Sequence, residues 1–267
     1  GQPQRRRGER HAPGPGGGTV GQDTFSGIEN LLGASENEDT FVIGPDGALP
    51  GVIEGGQGGF DTLVVEGAYE SAVYEASGPD SGAVVLDGNR IAYRGLEPVS
   101  GILDGSNVVL NTGEDFDSIR VTGSFDESLA RTTITIESVG ATPTFERHTY
   151  TYSGTPGSLT IKGGLGWDSV AIGGNLQLEG LTLEVEAERI AVEAGTTIDT
   201  GTADLSLLAH DDGQGLVGLI AEWMAGWLDD ELEPIFAAAR TYAESLQGQM
   251  ADVALPIDYF GAGADLA

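Results

Sequence analysis

The 267-residue chain carries 42 Asp and Glu against 12 Lys and Arg, a net charge of −30, with 43 glycines and no cysteine. The missing thiols exclude disulfides, thiol catalysis and Cys-ligated zinc. The acid excess excludes the basic footprint that a nucleic-acid backbone requires. Hydrophobic residues make up 39% and aromatics 7%, which points to a mainly aliphatic core, and no run of 18 apolar residues is present to span a membrane as a helix.

Residues 1–20 hold Arg5, Arg6, Arg7 and Arg10 beside Glu9, three prolines and the run Gly16 to Gly18. This stretch reads as a disordered basic tail or linker. The chain begins with Gly, so a fragment of a longer protein, or a processed product, is expected. Beyond residue 20 there are 8 bases against 41 acids, and Lys162 is the single lysine. Such a surface is self-repelling and attracts divalent cations.

From residue 21 an Asp, then Thr or Ser, then a large apolar residue recurs five times. The copies are Asp23-Thr24-Phe25, Asp39-Thr40-Phe41, Asp61-Thr62-Leu63, Asp117-Ser118-Ile119 and Asp168-Ser169-Val170. Turn-rich stretches precede them, such as Gly55-Gly56-Gln57-Gly58-Gly59 before Asp61. The unit is a glycine turn, an Asp able to accept backbone amides, and a short strand. A longer match overlaps it: Phe25-Ser26-Gly27-Ile28-Glu29-Asn30 resembles Tyr93-Arg94-Gly95-Leu96-Glu97-Pro98, 68 residues on. Two nested repeats favour a stacked repeat architecture over a compact globule.

Residues 124–152 read as a β-hairpin or a protruding loop. Short strands follow at 158–161, 169–172, 176–178, 181–185, 189–192, 196–198 and 205–207, broken at Gly163-Gly164, Gly173-Gly174, Gly180, Gly195 and Gly201. Period-two alternation is plain in Leu181, Leu183 and Val185. A sandwich, a barrel or a solenoid would each fit, and repetition favours the solenoid. The expected fold is therefore all-β, a right-handed parallel β-solenoid over residues 21–213. From Leu216 the period changes to that of a helix: Leu216, Leu219, Ile220, Trp223, Trp227 and Leu228 share one face, then Ile235, Ala239, Tyr242, Leu246, Met250 and Val253 share another. Residues 214–255 read as a C-terminal α-helical hairpin packed on the solenoid, with a flexible tail at 256–267. The acidic polar face argues against an interfacial membrane helix.

The segment Gly163-Gly164-Leu165-Gly166-Trp167-Asp168-Ser169-Val170 resembles the hemolysin-type (RTX) calcium-binding nonapeptide. Residues 21–41 and Tyr93-x-Gly-Leu-Glu-Pro98 are similar to segments of giant secreted bacterial surface proteins. In those proteins, hemolysin-type and filamentous-adhesin-like β-helical repeats alternate. The resemblance implies calcium held between successive coils, with Asp23, Asp39, Asp61, Asp117 and Asp168 as ligands, since calcium takes six to eight hard oxygens. It also implies an extracellular or cell-surface location, and surface glycans or a cell-surface receptor as partners. The family's copies are in tandem, whereas these aspartates are spaced by 16, 22, 56 and 51 residues. The other reading of the same residues is that they close turns at the corners of a solenoid.

Asp199-Thr200-Gly201 has the style of an aspartic-protease tripeptide, but no second copy accompanies it. His210-Asp211-Asp212 reads either as metal ligands or as a solvated turn. Parallel β-helices often act on acidic polysaccharides, which makes a lyase or epimerase the rival function. The bases Arg90, Arg94, Arg120, Arg131, Arg147, Arg189, Arg240 and Lys162 are scattered, however, and the acidic chain would repel a polyuronate. The expected function is a non-enzymatic structural or adhesive segment rigidified by calcium. A further alternative is an adhesion module that makes contact through residues 124–152.

Overall fold

The computed structural model describes residues 9–12, 16–20, 23–45 and 47–209. They form an all-β structure without α-helix, in which two large sheets hold 12 and 9 strands. The chain enters the larger sheet with β1 (Glu9–Ala12), β2 (Gly18–Val20) and β3 (Asp23–Phe25). It then alternates between sheets: β4 (Leu31–Leu32) in the smaller, β5 (Thr40–Ile43) in the larger, β6 (Val52–Glu54) in the smaller, β7 (Thr62–Val65) in the larger and β8 (Ala72–Gly78) in the smaller. β9 (Ser81–Leu86) and β10 (Asn89–Arg94) stay in the smaller sheet as an antiparallel meander on β8. Alternation resumes with β11 (Val99–Ile102), β12 (Asn107–Asn111) and β13 (Ser118–Asp126). A second antiparallel meander, β14 (Arg131–Ser138) and β15 (His148–Tyr152), then stays in the larger sheet. β16 (Gly157–Lys162), β17 (Ser169–Gln177), β18 (Leu181–Ala187) and β19 (Arg189–Val192) alternate again. β20 (Thr197–Asp199) pairs with the far half of β17, and β21 (Leu205–Ala209) ends the smaller sheet.

Apart from the antiparallel run β1–β2–β3 and the two meanders, strands of one sheet pair in parallel with the strand one or two passes on. Thr40 faces Thr62, Leu159 faces Leu183, and Leu183 faces Leu205. Parallel, in-register pairing stacks like side chains into ladders. Val108, Leu159 and Leu183 make one ladder and Leu110, Ile161 and Val185 another, and all six are buried. The alternation read in 181–185 extends through β18, where every odd residue from Leu181 to Ala187 is buried and every even one is half exposed. The core between the sheets is mainly aliphatic, as the composition implies; among its aromatic residues, Tyr74, Phe145 and Tyr150 meet around His148.

Four elements differ from the sequence reading. Of the two readings of residues 124–152 the hairpin holds and the protruding loop does not: β14 and β15 pair antiparallel within the larger sheet and bury Ile134, Ile136 and Tyr150, while the tip between Asp126 and Arg131 reaches solvent. Gly173-Gly174 does not break a strand. β17 runs through both, pairing them with Thr122 and Gly123, and a Cβ on Gly174 would lie 2.6 Å from the Gly123 carbonyl oxygen. The 68-residue match is local, because Phe25 lies in the larger sheet and Tyr93 in the smaller. What the two segments share is a turn with a left-handed glycine, φ 68° at Gly27 and 65° at Gly95. Within the expected tail, β1 pairs in parallel with β5, and β2 pairs with both β1 and β3. The helical hairpin expected at 214–255, the tail at 256–267 and His210-Asp211-Asp212 lie outside the described residues. Among the described residues no helix is long and apolar enough to cross a membrane.

Candidate functional site: a row of turn carboxylates and a buried polar bridge

Four of the five aspartates occupy one structural position, immediately before a strand of the larger sheet: Asp39 before β5, Asp61 before β7, Asp117 before β13 and Asp168 before β17. All four are buried. The register brings Asp39 level with Asp61, and Asp117 level with Asp168. Asp23 is the exception. It begins β3, an antiparallel strand at the far end of the sheet, and it is exposed.

The row works by one repeated pattern. The Asp39 N–H donates to Asp61 Oδ1 at 2.7 Å, and the Thr62 N–H donates to the Asp39 carbonyl at 2.9 Å. The Asp117 N–H donates to Asp168 Oδ1 at 2.8 Å, and the Ser169 N–H to the Asp117 carbonyl at 2.9 Å. The Asp168 N–H donates to Glu188 Oε2 at 2.7 Å, and the Arg189 N–H to the Asp168 carbonyl at 3.0 Å. Each carboxylate thus satisfies a buried backbone donor of the neighbouring pass, where the parallel ladder begins. Asp39 Oδ2 also accepts the Ala34 N–H of its own turn at 2.7 Å. The glycines ahead of these residues allow the close approach. A Cβ on Gly55 would lie 2.0 Å from the Gly95 carbonyl oxygen and 2.7 Å from Asp61 Oδ2.

Glu188 holds the same place in the row without being an Asp followed by Thr or Ser. The register also carries the row to Glu97 and Glu146, two residues ahead of Val99 and His148. An acid two places before an apolar or aromatic strand residue is the signal that would have found all seven. The pattern changes at Pro98, which stands where Thr62 stands in β7 and has no N–H to give. There the Glu97 N–H donates to the Asp61 carbonyl instead, at 2.7 Å.

Burial raises the Asp117 carboxyl above its ordinary value, and hydrogen bonds from the Thr112 and Thr144 hydroxyls partly offset this. The Asp39, Asp61, Asp117 and Asp168 oxygens are therefore placed as acceptors of protein N–H and O–H groups. Among the described residues no three His, Asp or Glu side chains are grouped to hold a metal ion.

A second constellation crosses the core. Glu146 and His148 belong to the larger sheet's side, and Tyr93 to β10 of the smaller. The Tyr93 hydroxyl donates to Glu146 Oε1. His148 Nε2 lies 3.0 Å from that same oxygen, and His148 Nδ1 lies 3.1 Å from the Tyr150 hydroxyl. Tyr74 meets both rings edge-on, with centroids 5.4 Å from His148 and 5.6 Å from Tyr150. Glu146 and His148 are both 0% exposed, so no substrate reaches them, and Glu146 Oε2 has no hydrogen-bond partner among the described residues. Burial, then the Glu146 charge, raises Tyr93 well above the ordinary tyrosine value. Tyr150 is raised likewise, by burial first.

The bases are dispersed. Arg90 pairs with Glu75, Arg94 with Glu54, Arg120 with Glu193, Arg147 with Glu137 and Lys162 with Glu186, all at the surface. Arg94 and Glu54 line a cleft of about 440 Å³ together with Gln57, Asp80 and Ser81. Comparison of the chain with protein-family models, curated proteins and solved structures gives no match.

Proposed function

We propose that the chain is a non-enzymatic structural segment of an extracellular or cell-surface bacterial repeat protein, a right-handed two-sheet β-solenoid that acts as a stiff acidic spacer. The observation that carries this reading is the repeated carboxylate pattern, which ties neighbouring passes through the backbone at Asp39–Asp61, Asp117–Asp168 and Asp168–Glu188. Mutually supporting ladders make a body whose stability is a sum over neighbouring coils. The chemistry-bearing groups fit the same reading: the acid–imidazole pair is sealed in the core, and Arg90, Arg94, Arg120 and Arg147 each meet one surface carboxylate. The net charge of −30 keeps copies apart.

In this reading the turn aspartates serve the backbone. Calcium stiffens the segment by neutralising exposed acids, an effect that magnesium shares. Thermal unfolding followed by circular dichroism, in chelator and then in millimolar calcium or magnesium, tests it. The expected result is complete strand structure in chelator, with a similar small rise in Tm for either ion. A large rise specific to calcium, reduced in Asp39→Ala and Asp61→Ala, would instead assign the row to ion binding. The rival lyase or epimerase reading would use the cleft beside Arg94, Glu54 and Asp80. Formation of unsaturated or epimerised product from polyuronates would establish that activity, and none is expected.

A further inference from the structure

The smaller sheet carries an outward row that crosses four strands. Register places Ser81 of β9 opposite Arg94 of β10, Arg94 opposite Glu54 of β6, and Glu54 opposite Leu32 of β4. The preceding residues Tyr93 and Ile53 are buried, so the row faces away from the core. Its neighbouring members are about 4.8 Å apart, the spacing of strands in a sheet. Asp80 adds a second acid beside Arg94. The Ser81 hydroxyl donates to Asp80 Oδ1 at 2.6 Å, and the Leu96 N–H donates to the Asp80 carbonyl at 2.9 Å. All five residues, from Asp80 to Leu32, line the cleft of about 440 Å³, a size within the range of small-molecule sites, about 300–1,000 Å³.

We propose that this cleft binds a small zwitterion, an α-amino acid with an apolar side chain. The charges along its wall alternate, with an acid at Asp80, a base at Arg94 and an acid at Glu54. A lone anion on Arg94 would meet two carboxylates in a body of charge −30, and a lone cation would meet the guanidinium. A ligand that carries both signs on neighbouring atoms meets neither obstacle. Its carboxylate accepts from Arg94, whose guanidinium is a fork of five donors and whose Nη2 pairs with Glu54. Its ammonium donates to the Glu54 carboxylate, one strand away. Its side chain then lies over Leu32, the next member of the row, which is 63% exposed. The Arg94 and Glu54 side chains are 62% and 33% exposed, and an exposed pair of this kind contributes little by itself, so it opens readily for the two charges of the ligand. Binding is therefore weak, in the millimolar range. It is separate from the spacer role and needs no calcium.

Titration of the full nitrogen-15-labelled chain with L-leucine in chelator, followed by nuclear magnetic resonance, tests this. Saturable shifts are expected at the amides of Leu32, Glu54, Ser81 and Arg94. Arg94→Gln and Glu54→Gln are each expected to weaken binding at least about tenfold while the strand circular dichroism persists. Two analogues separate the charges. N-acetyl-leucine lacks the ammonium and leucinamide lacks the carboxylate, and each is expected to bind at least about tenfold more weakly than leucine. Glycine, with no side chain to cover Leu32, is expected to bind more weakly too. Equal binding of leucinamide would reveal only the pull of an acidic surface on any cation, and equal binding of N-acetyl-leucine a plain anion site at Arg94. Either result overturns the proposal. So would glycine binding as tightly as leucine, unchanged affinity in both variants, or no saturable shift up to about 50 mM leucine, far above a millimolar Kd.

Discussion

The Asp117 carboxylate shows what the row costs and what it contributes. Burial disfavours its charged form, and two hydroxyls return part of that cost. A carboxyl raised on folding contributes stability below its unfolded value, near pH 4. That contribution is lost as pH rises through the raised folded value. The stability of the native chain relative to Asp117→Asn is therefore expected to be greatest near pH 4 and smaller at neutral pH, as read by urea melts at both. A difference that grows with pH would contradict the burial argument. At this scale much of the site was legible in the sequence, since Asp39, Asp61, Asp117 and Asp168 announce themselves by the apolar residue two places on. Glu188 and Glu146 escaped because the motif was written around Asp and a following hydroxyl. The geometry asks only for a carboxylate that reaches the neighbouring N–H.

Between elements, the polar bridge joins the sheets that the aliphatic ladders merely press together. Tyr93 on β10 and His148 beside Glu146 put hydrogen bonds across a core that is otherwise apolar. Removing one member strands the others in a low-dielectric interior. Glu146→Ala is expected to destabilise the chain by about 3 kcal/mol, and Tyr93→Phe by about 1–3 kcal/mol, through lost hydrogen bonding in the core. Equilibrium urea unfolding measures both, and a loss under about 0.5 kcal/mol for either, the range of a surface substitution, would show the bridge to be idle. The raised tyrosines set an alkaline limit. Tyr93 and Tyr150 favour the fold below about pH 10, and this is lost as pH climbs beyond it. Their phenolate absorbance is thus expected to appear only with unfolding. None of this was readable from sequence, because residues 93, 146, 148 and 150 meet only once the two meanders are in place. Those meanders also explain the misread protrusion: β14 alternates Thr with Ile as a half-buried strand should, and its neighbours in the sheet supply the cover.

Over the described residues, the alternation between two sheets outside the antiparallel segments follows from short strands separated by glycine turns. The parallel register follows from a pass length that repeats closely. Asp39 to Asp61 is 22 residues, Lys162 to Glu186 is 24, and Asp168 to Glu188 is 20. Insertion of a meander lengthens a pass without shifting the register, so Asp117 meets Asp168 across 51 residues with the same hydrogen bonds. That is why the aspartate spacing looked irregular in the sequence while the row is regular in space. The strands at 158–162 and 181–187 were legible because apolar and polar residues alternate along them, as their burial does. The 68-residue match misled because it compares two turns on opposite sheets.

The most direct measurement is amide hydrogen exchange at Asp39, Asp117 and Asp168, read by nuclear magnetic resonance in chelator. These three N–H groups donate to the carboxylates of Asp61, Asp168 and Glu188, so slow exchange is expected without any metal ion. In Asp61→Ala the Asp39 amide alone is expected to lose its protection, with a stability loss of about 1–3 kcal/mol for the unsatisfied donor. Fast exchange at all three in chelator, slowed only by calcium, would contradict a row built to serve the backbone.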